Sequence, residues 1–187
     1  MKEDALCRLP STTTVTGRSS SITNAFINSI VPTIKPTPAE VIEALRILGM
    51  SATTICCAYC GDKHTEWDHF RPIVTAQRPT GYITEIANLV PACGKCNQSK
   101  GSSDWESWMR SNAKLSPKSR GIADLEQRVI SLRAFSGWRQ PTRVDFAAVA
   151  GEELWQRHLA NWAQIMELLK SSQVLAAQIR TRVGLSQ

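Results

Sequence analysis

Two cysteine pairs, Cys57-Ala58-Tyr59-Cys60 and Cys93-Gly94-Lys95-Cys96, enclose an adjacent acid and imidazole, Asp68-His69, and the second pair runs directly into Asn97. Each pair can chelate from one tight turn, and four thiolates drawn from two turns make the tetrahedral donor set that Zn2+ favours. Cys56 and Cys57 compete for the first position. Cys57 repeats the two-residue separation of Cys93 and Cys96, whereas Cys56 would leave three residues before Cys60. The expected ligands are therefore Cys57, Cys60, Cys93 and Cys96, with Cys56 a small buried residue and Cys7 an unpaired thiol; pairing of the four as disulfides is the alternative. A zinc knuckle that only stabilises has no use for a carboxylate beside an imidazole. By itself, His69 reads equally well as a structural histidine or as a base.

Those residues need elements to hold them. Glu66 to Phe70 suits a short strand in which Asp68 projects opposite Trp67, and this strand must end or twist at His69 if both neighbours are to serve one site. Asn88 to Val90 suits a second strand, and a helix starts near Lys95, placing Asn97 and Lys100 on neighbouring positions of one face. Between the strands, Pro72, Pro79 and Gly81 mark residues 71 to 85 as a loop.

The stretch EWDHFRPIV … NLVPACGKCNQSKG resembles the HNH, or ββα-metal, nuclease module in its zinc-braced form. The likeness rests on several independent parts: the Asp68-His69 pair, Asn88 nineteen residues after that histidine, and Asn97 directly after the last cysteine. It covers roughly residues 56 to 110. The resemblance implies that Asp68 and Asn97 hold one catalytic Mg2+ or Mn2+, that His69 activates water, and that Asn88 steadies the loop or orients the histidine. The family often carries histidine where this chain has Asn97, and an amide oxygen there remains able to bind a metal. Arg71 and Lys100 are the candidates for phosphate contact, and Glu66 is either a further ligand, an orienting group or a surface residue. The zinc, closed by four thiolates, is expected to fix the distance between the Asp68-His69 strand and the Asn97 helix.

The flanks read as helical scaffold. Residues 1 to 21 are Ser/Thr-rich and read as an arm or long loop, with Arg8 and Arg18 as possible backbone contacts. A helix at 22 to 31 is expected to pack through Ile22, Phe26, Ile27 and Ile30. Thr37-Pro38-Ala39-Glu40 has the residue types and spacing of a capping box and opens a helix to about Leu48, with Val41, Ile42, Leu45 and Leu48 inward and Gly49 ending it. Trp105, Trp108 and Met109 form an apolar cluster more consistent with core than with base stacking. Ile122, Leu125, Val129, Leu132 and Phe135 define another helix, stopped by Gly137 and Pro141. A last helix starts near Glu152 with Trp155, Leu159, Trp162, Ile165 or Met166, and Leu169 on one side. Ser171-Ser172 is a candidate break, after which Val174, Leu175, Ile179 and Val183 continue the pattern. This tail can brace the module, form a dimer interface or present Arg133, Arg139, Arg143 and Arg157 to DNA.

The expected fold class is α+β: a mainly helical chain around a small zinc-bound ββα-metal module. Its organisation reads as an N-terminal arm and helices over 1–50, the module over 51–115 and a helical region over 116–187, all in one compact unit. The 187 residues carry 22 Lys and Arg against 16 Asp and Glu, a net charge of +6 that suits a polyanionic partner as well as an ordinary basic protein. The absence of a membrane-length apolar run or leader pattern and the metal-ligand spacing of four of the six cysteines suggest a reducing, cytoplasmic setting. Taken with the resemblance, the reading is a metal-dependent endonuclease acting on double-stranded DNA to leave 5′-phosphate and 3′-hydroxyl ends, without an organic cofactor, and resembling a small type II restriction enzyme working as a homodimer. Homing, phage or other defence HNH nucleases, a nickase, an inactive zinc-stabilised DNA-binding protein and an RNA-directed protein are the competing readings.

Overall fold

The computed structural model describes residues 13–184, so Cys7 and Arg8 lie outside the described residues. The chain forms two compact units, one of residues through Phe26 together with those from Ala150 onward, the other Ile27–Val149. Helices dominate, and the strands form two small antiparallel pairs, which gives the expected α+β class with a ββα-type module.

The module lies within Ile27–Val149. Strand β1 (Glu66–His69) pairs antiparallel with β4 (Leu89–Ala92), in the register Glu66↔Ala92, Trp67↔Pro91, Asp68↔Val90 and His69↔Leu89. A 3-10 turn at Ile86–Asn88 precedes β4, so Asn88 sits before the strand rather than in it. Helix α3 (Gly94–Lys100) follows at once. Between β1 and β4 lies a second pair, β2 (Val74–Thr75) with β3 (Arg78–Pro79), where a featureless loop is expected from sequence. Its two-residue turn holds Ala76 and Gln77 at φ 49° and 62°. Consecutive positive φ values belong to a hairpin turn usually marked by Asn-Gly, so Ala-Gln gives no warning of it.

Helix α2 (Pro38–Ile47) begins with the capping box: Thr37 Oγ1 accepts from the Glu40 amide, and the Glu40 carboxylate accepts from the Thr37 amide. It buries Ala44, Leu45 and the following Leu48, but Ile42 is 59% exposed, contrary to expectation. The narrow apolar stripe runs through Val41, Ala44, Leu45 and Leu48, and the 100° step per residue carries Ile42 off it. Helix α4 (Trp105–Met109) is capped by Asp104 and buries Trp105, Trp108 and Met109, so the tryptophans belong to the core. Helix α5 (Leu125–Trp138) buries Val129, Leu132 and Phe135 and passes through Gly137 instead of stopping there. Phe70, directly after β1, stacks on Trp105 with centroids 5.0 Å apart and meets Phe135 edge-on at 5.4 Å. These rings anchor the end of β1 to α4 and α5. Emptying such a site, as in Leu132→Ala, costs about 2–5 kcal/mol. A second cluster, Ile27, Val31, Ile73 and Ile83, is packed with Tyr82, Val144 and Phe146. The short helix α6 (Phe146–Ala150) closes this unit.

In the other unit, a 3-10 turn at Thr16–Arg18 leads into α1 (Ser19–Asn28), whose residues through Phe26 belong to that unit, so the part of the Ser/Thr-rich segment from Thr16 onward is helical rather than extended. Helix α7 (Glu152–Arg182) runs unbroken through Ser171-Ser172. Ser171 Oγ donates to the Leu168 carbonyl, which lets the hydroxyl be satisfied without leaving the helix. Trp162 Nε1 donates to Thr23 Oγ1, and His158 packs against Phe26 and Trp155. The stripe Trp155, Leu159, Trp162, Ile165, Met166 and Leu169 is half-buried, whereas Val174, Leu175, Ile179 and Val183 are exposed. No helix among the described residues is long and apolar enough to cross a membrane.

Candidate metal centre and active site

Cys57 and Cys60 occupy one turn, closed by the Gly61 amide donating to the Cys57 carbonyl, while Cys93 follows β4 as the N-cap of α3 and Cys96 lies in the first turn of that helix. The Ala58 amide donates to Pro91 O and ties the two turns together. All four sulfurs lie within 4.8 Å of one another, and Cys60 Sγ is 3.7 Å from Cys93 Sγ. Sulfurs about 2.3 Å from a tetrahedral Zn2+ stand about 3.8 Å apart, whereas a disulfide requires about 2.05 Å. Crowding of this kind disfavours four negative charges without a cation. Sharing of a proton with Cys60, and burial, push the Cys57 thiol up to about 12, and contacts with Cys57 and Cys60 push Cys96 up as well. A dication relieves that repulsion, so the donor set fits structural zinc. Cys56 is half-buried and outside the cluster.

The sequence gives no hint of two arginines that serve this centre. Arg120 Nη1 donates to Cys96 Sγ at 3.4 Å while Nη2 donates to Asp62 Oδ2 at 2.6 Å, and Arg128 Nη1 donates to the Cys57 carbonyl at 3.1 Å. Gly61, at φ 80°, leaves the space the Arg128 guanidinium fills; a β-carbon there would meet Arg128 Nη2 at 2.4 Å. Both arginines come from beyond the cysteine-bounded stretch, and only their arrangement in space reveals them.

The acid and the imidazole sit at the far end of β1. Asp68 is 5% exposed; its Oδ2 accepts from Tyr59 Oη at 2.6 Å and lies 3.2 Å from Lys100 Nζ. The Tyr59 ring is held in turn by Trp108, edge-on at 5.3 Å. Burial is the main influence on Asp68 and raises it above the usual 3.8, with the Lys100 cation and the Tyr59 hydroxyl pulling the other way. His69 Nε2 is 2.8 Å from Thr84 Oγ1. Burial, then the Lys100 cation, lower its basicity below 6.5, favouring the neutral ring. Neither Tyr59 nor Thr84 has a sequence signal, because each reaches the site from another segment.

Asn88 is fully buried and clamps the backbone of Arg71 from both sides: Oδ1 accepts from the Arg71 amide, and Nδ2 donates to Arg71 O and Ile83 O. Its own carbonyl accepts from the Phe70 amide. It holds both ends of the 71–83 excursion and the backbone just after His69, without touching the imidazole. Asn97 is half-buried on α3, and its side-chain amide makes no hydrogen bond among the described residues, while its backbone N–H donates to Cys93 O. It lies one turn before Lys100, the residue that bonds to β1. Glu66 is half-buried at the other end of β1, beside Gly94.

The two phosphate-contact candidates look different in three dimensions. Lys100 is 1% exposed, and its ammonium is spent on Asp68 Oδ2, His69 O at 3.0 Å and Gly101 O at 3.2 Å. It faces inward as the counter-ion of Asp68 and the strut between α3 and β1, so it offers nothing to a phosphate. Arg71 is half-buried: Nη2 donates to Ser136 O and Oγ, its guanidinium lies over Phe70 and Tyr82, and Nη1 is buried without a partner.

The HNH endonuclease family model matches residues 57–103. This stretch is an HNH-like domain. Its bounds take in the four cysteines, Asp68, His69, Asn88 and Asn97, together with the ββα elements that carry them. Searches of curated proteins and of solved structures gave no match to the chain. Arg120, Arg128 and the α5 residues packed on Phe70 lie beyond the matched stretch.

Proposed function

We propose that the chain is a metal-dependent DNA endonuclease. The observation that carries this reading is the placement of His69: its imidazole is held through Nε2 by Thr84, Nδ1 bears no hydrogen bond among the described residues, and burial and the Lys100 cation favour the neutral ring. An Nε2–H tautomer donating to Thr84 leaves the Nδ1 lone pair for a proton from water. Asp68 offers Oδ1, because both of its partners engage Oδ2. With the free amide oxygen of Asn97, this is a hard-oxygen pair suited to Mg2+ or Mn2+. Such an ion, when bound, supplies charge neutralisation at the phosphate and the leaving oxygen.

The residues then divide the work. His69 Nδ1 takes the proton of a water as its oxygen attacks phosphorus; the P–O3′ bond breaks, leaving a 5′-phosphate and, after protonation from solvent, a 3′-hydroxyl. Asn88 holds the backbone that carries His69, and the four-cysteine centre spans the turn before β1 and the start of α3. Digestion of plasmid DNA with Mg2+ tests the reading: His69→Ala should lower the rate by about 10²–10⁴-fold, the usual contribution of a positioned base. A wild-type protein that leaves varied duplex DNA intact would overturn it. Discrete fragments would support the narrower reading of a sequence-specific restriction enzyme, for which a homodimer brings two sites to two strands; a smear would exclude that refinement.

A further inference from the structure

The sequence singles out four arginines of the C-terminal region, and three are matched to carboxylates. Arg133 pairs with Glu106, Arg139 with Glu40 and Glu43, and Arg157 stands 4.0 Å from Glu153. Arg143 has no ion pair among the described residues. It is exposed; its Nη2 donates to Thr80 O at 3.0 Å, and its guanidinium lies 5.2 Å from the Tyr82 ring centre.

The backbone fixes this placement. Arg143 and Tyr82 form an antiparallel bridge, and the Val144 amide donates to Gly81 O at 2.8 Å. The approach depends on Gly81, at φ 92°, where a β-carbon would lie 3.0 Å from Val144 O. Ile83 is buried while Tyr82 and Thr84 are half-exposed, the alternation of an extended segment, so Tyr82 and Thr84 share a face. Thr84 is the partner of His69 Nε2, which puts Tyr82 about 7 Å from it along the same edge. Arg71 lies 6.0 Å from the Tyr82 ring centre and has a buried, unpartnered Nη1. Two guanidiniums therefore flank one tyrosine on the face that also carries Thr84, the partner of the candidate base, and Arg143 is the exposed one of the two.

The geometry points to Arg143 as a phosphate-contact residue that, packed on Tyr82, seats the nucleic-acid backbone next to His69. The inference rests on the endonuclease reading and deepens it by assigning part of substrate binding to a residue outside the HNH-like domain. An arginine pre-stacked on an aromatic ring loses less freedom on meeting a phosphate and keeps donors available for it. Binding through phosphates is independent of base sequence and weakens with salt.

The test is fluorescence anisotropy of a labelled DNA duplex with the full chain, Ca2+ replacing Mg2+, over a salt series. Arg143→Gln should raise Kd by about 10-fold and reduce the slope of log K against log salt by about one. Arg143→Lys, which keeps the charge, should retain most of the affinity. Arg46→Gln, removing an equally exposed charge on α2, should change Kd by less than about 2-fold. Thermal melting checks that all variants fold. If wild type binds and cleaves while Arg143→Gln behaves like Arg46→Gln, the assignment fails and the endonuclease reading stands. Equal losses for Arg143→Lys and Arg143→Gln make Arg143 a packing residue and also overturn it. A wild type that neither binds nor cleaves removes both.

Discussion

His69 Nε2 and Thr84 Oγ1 stand 2.8 Å apart, joining the end of β1 to an extended segment fifteen residues later. That segment is fixed on its other side: the Ile34 amide donates to Thr84 O, and the Thr84 amide donates to Pro32 O. The hydroxyl is therefore a fixed post against which the imidazole is oriented, and removing it frees the ring to rotate. Thr84→Val should lower the single-turnover cleavage rate roughly 10-fold or more with little change in DNA affinity, while Thr84→Ser should stay near wild type. An unaltered rate for Thr84→Val would assign the contact to packing alone.

The same site predicts the direction of a pH effect. Burial and the Lys100 charge disfavour the imidazolium, so the folded protein holds its His69 proton less tightly than a free imidazole does. The neutral base then persists below pH 6.5, and the acidic limb of the rate profile should have its midpoint under that value. The linked stability has a definite sign. Because the unfolded chain binds more protons, the contribution from His69 is fully present above about pH 6.5 and is lost as pH falls from there through the folded value. Following the His69 Cε1–H resonance by NMR in wild type checks the direction, and a midpoint at or above 6.5 contradicts the argument from burial.

What the sequence made legible was what is local in the chain. The CxxC turns, the choice of Cys57 over Cys56, the Thr37–Glu40 capping box and the run from Asp68-His69 to Asn97 all carry their meaning in residue type and short spacing. Tyr59, Thr84, Arg120 and Arg128 were invisible because each is an ordinary residue until a distant segment is brought against it. Lys100 misled for a related reason: a lysine at the end of a polar helix looks solvent-facing, and only the packing of α3 on β1 turns its ammonium onto Asp68. Ser171-Ser172 and Gly137 misled through propensity, which a long or well-packed helix overrides at a cost of about 1 kcal/mol or less per residue.

The donor set at Cys57, Cys60, Cys93 and Cys96 predicts one tightly held zinc per chain. Its removal by a strong chelator should abolish the near-ultraviolet dichroism of the buried Trp105 and Trp108, because the turn before β1 and the start of α3 lose their common anchor. Arg120 makes a finer prediction. It donates to Cys96 Sγ while held by Asp62, so Arg120→Ala should speed zinc transfer to a chromogenic chelator by about 10–100-fold, the usual effect of deleting a ligand's hydrogen-bond partner. Zinc transfer at the wild-type rate would reduce Arg120 to a surface ion pair with Asp62.

The buried triad of Tyr59, Asp68 and Lys100 separates charge pairing from hydrogen bonding. Lys100→Met leaves the Asp68 carboxylate buried without its cation, and breaking a buried pair from one side costs about 3–5 kcal/mol. Tyr59→Phe removes one donor while Lys100 remains, for about 1–3 kcal/mol. Asp68→Asn strands the Lys100 ammonium but leaves it the carbonyls of His69 and Gly101, so its loss should be smaller than that of Lys100→Met. Urea denaturation of the zinc-loaded variants measures the order, expected as Lys100→Met largest. If Lys100→Met were as stable as wild type, the ammonium would not be the counter-ion of Asp68, and the α3–β1 strut would have to be carried by the cysteine centre alone. Cleavage should separate the same variants differently: Asp68→Asn, which removes the proposed anionic oxygen ligand, should lose nearly all activity while remaining folded, whereas Tyr59→Phe should keep a measurable rate because Oδ1 is untouched.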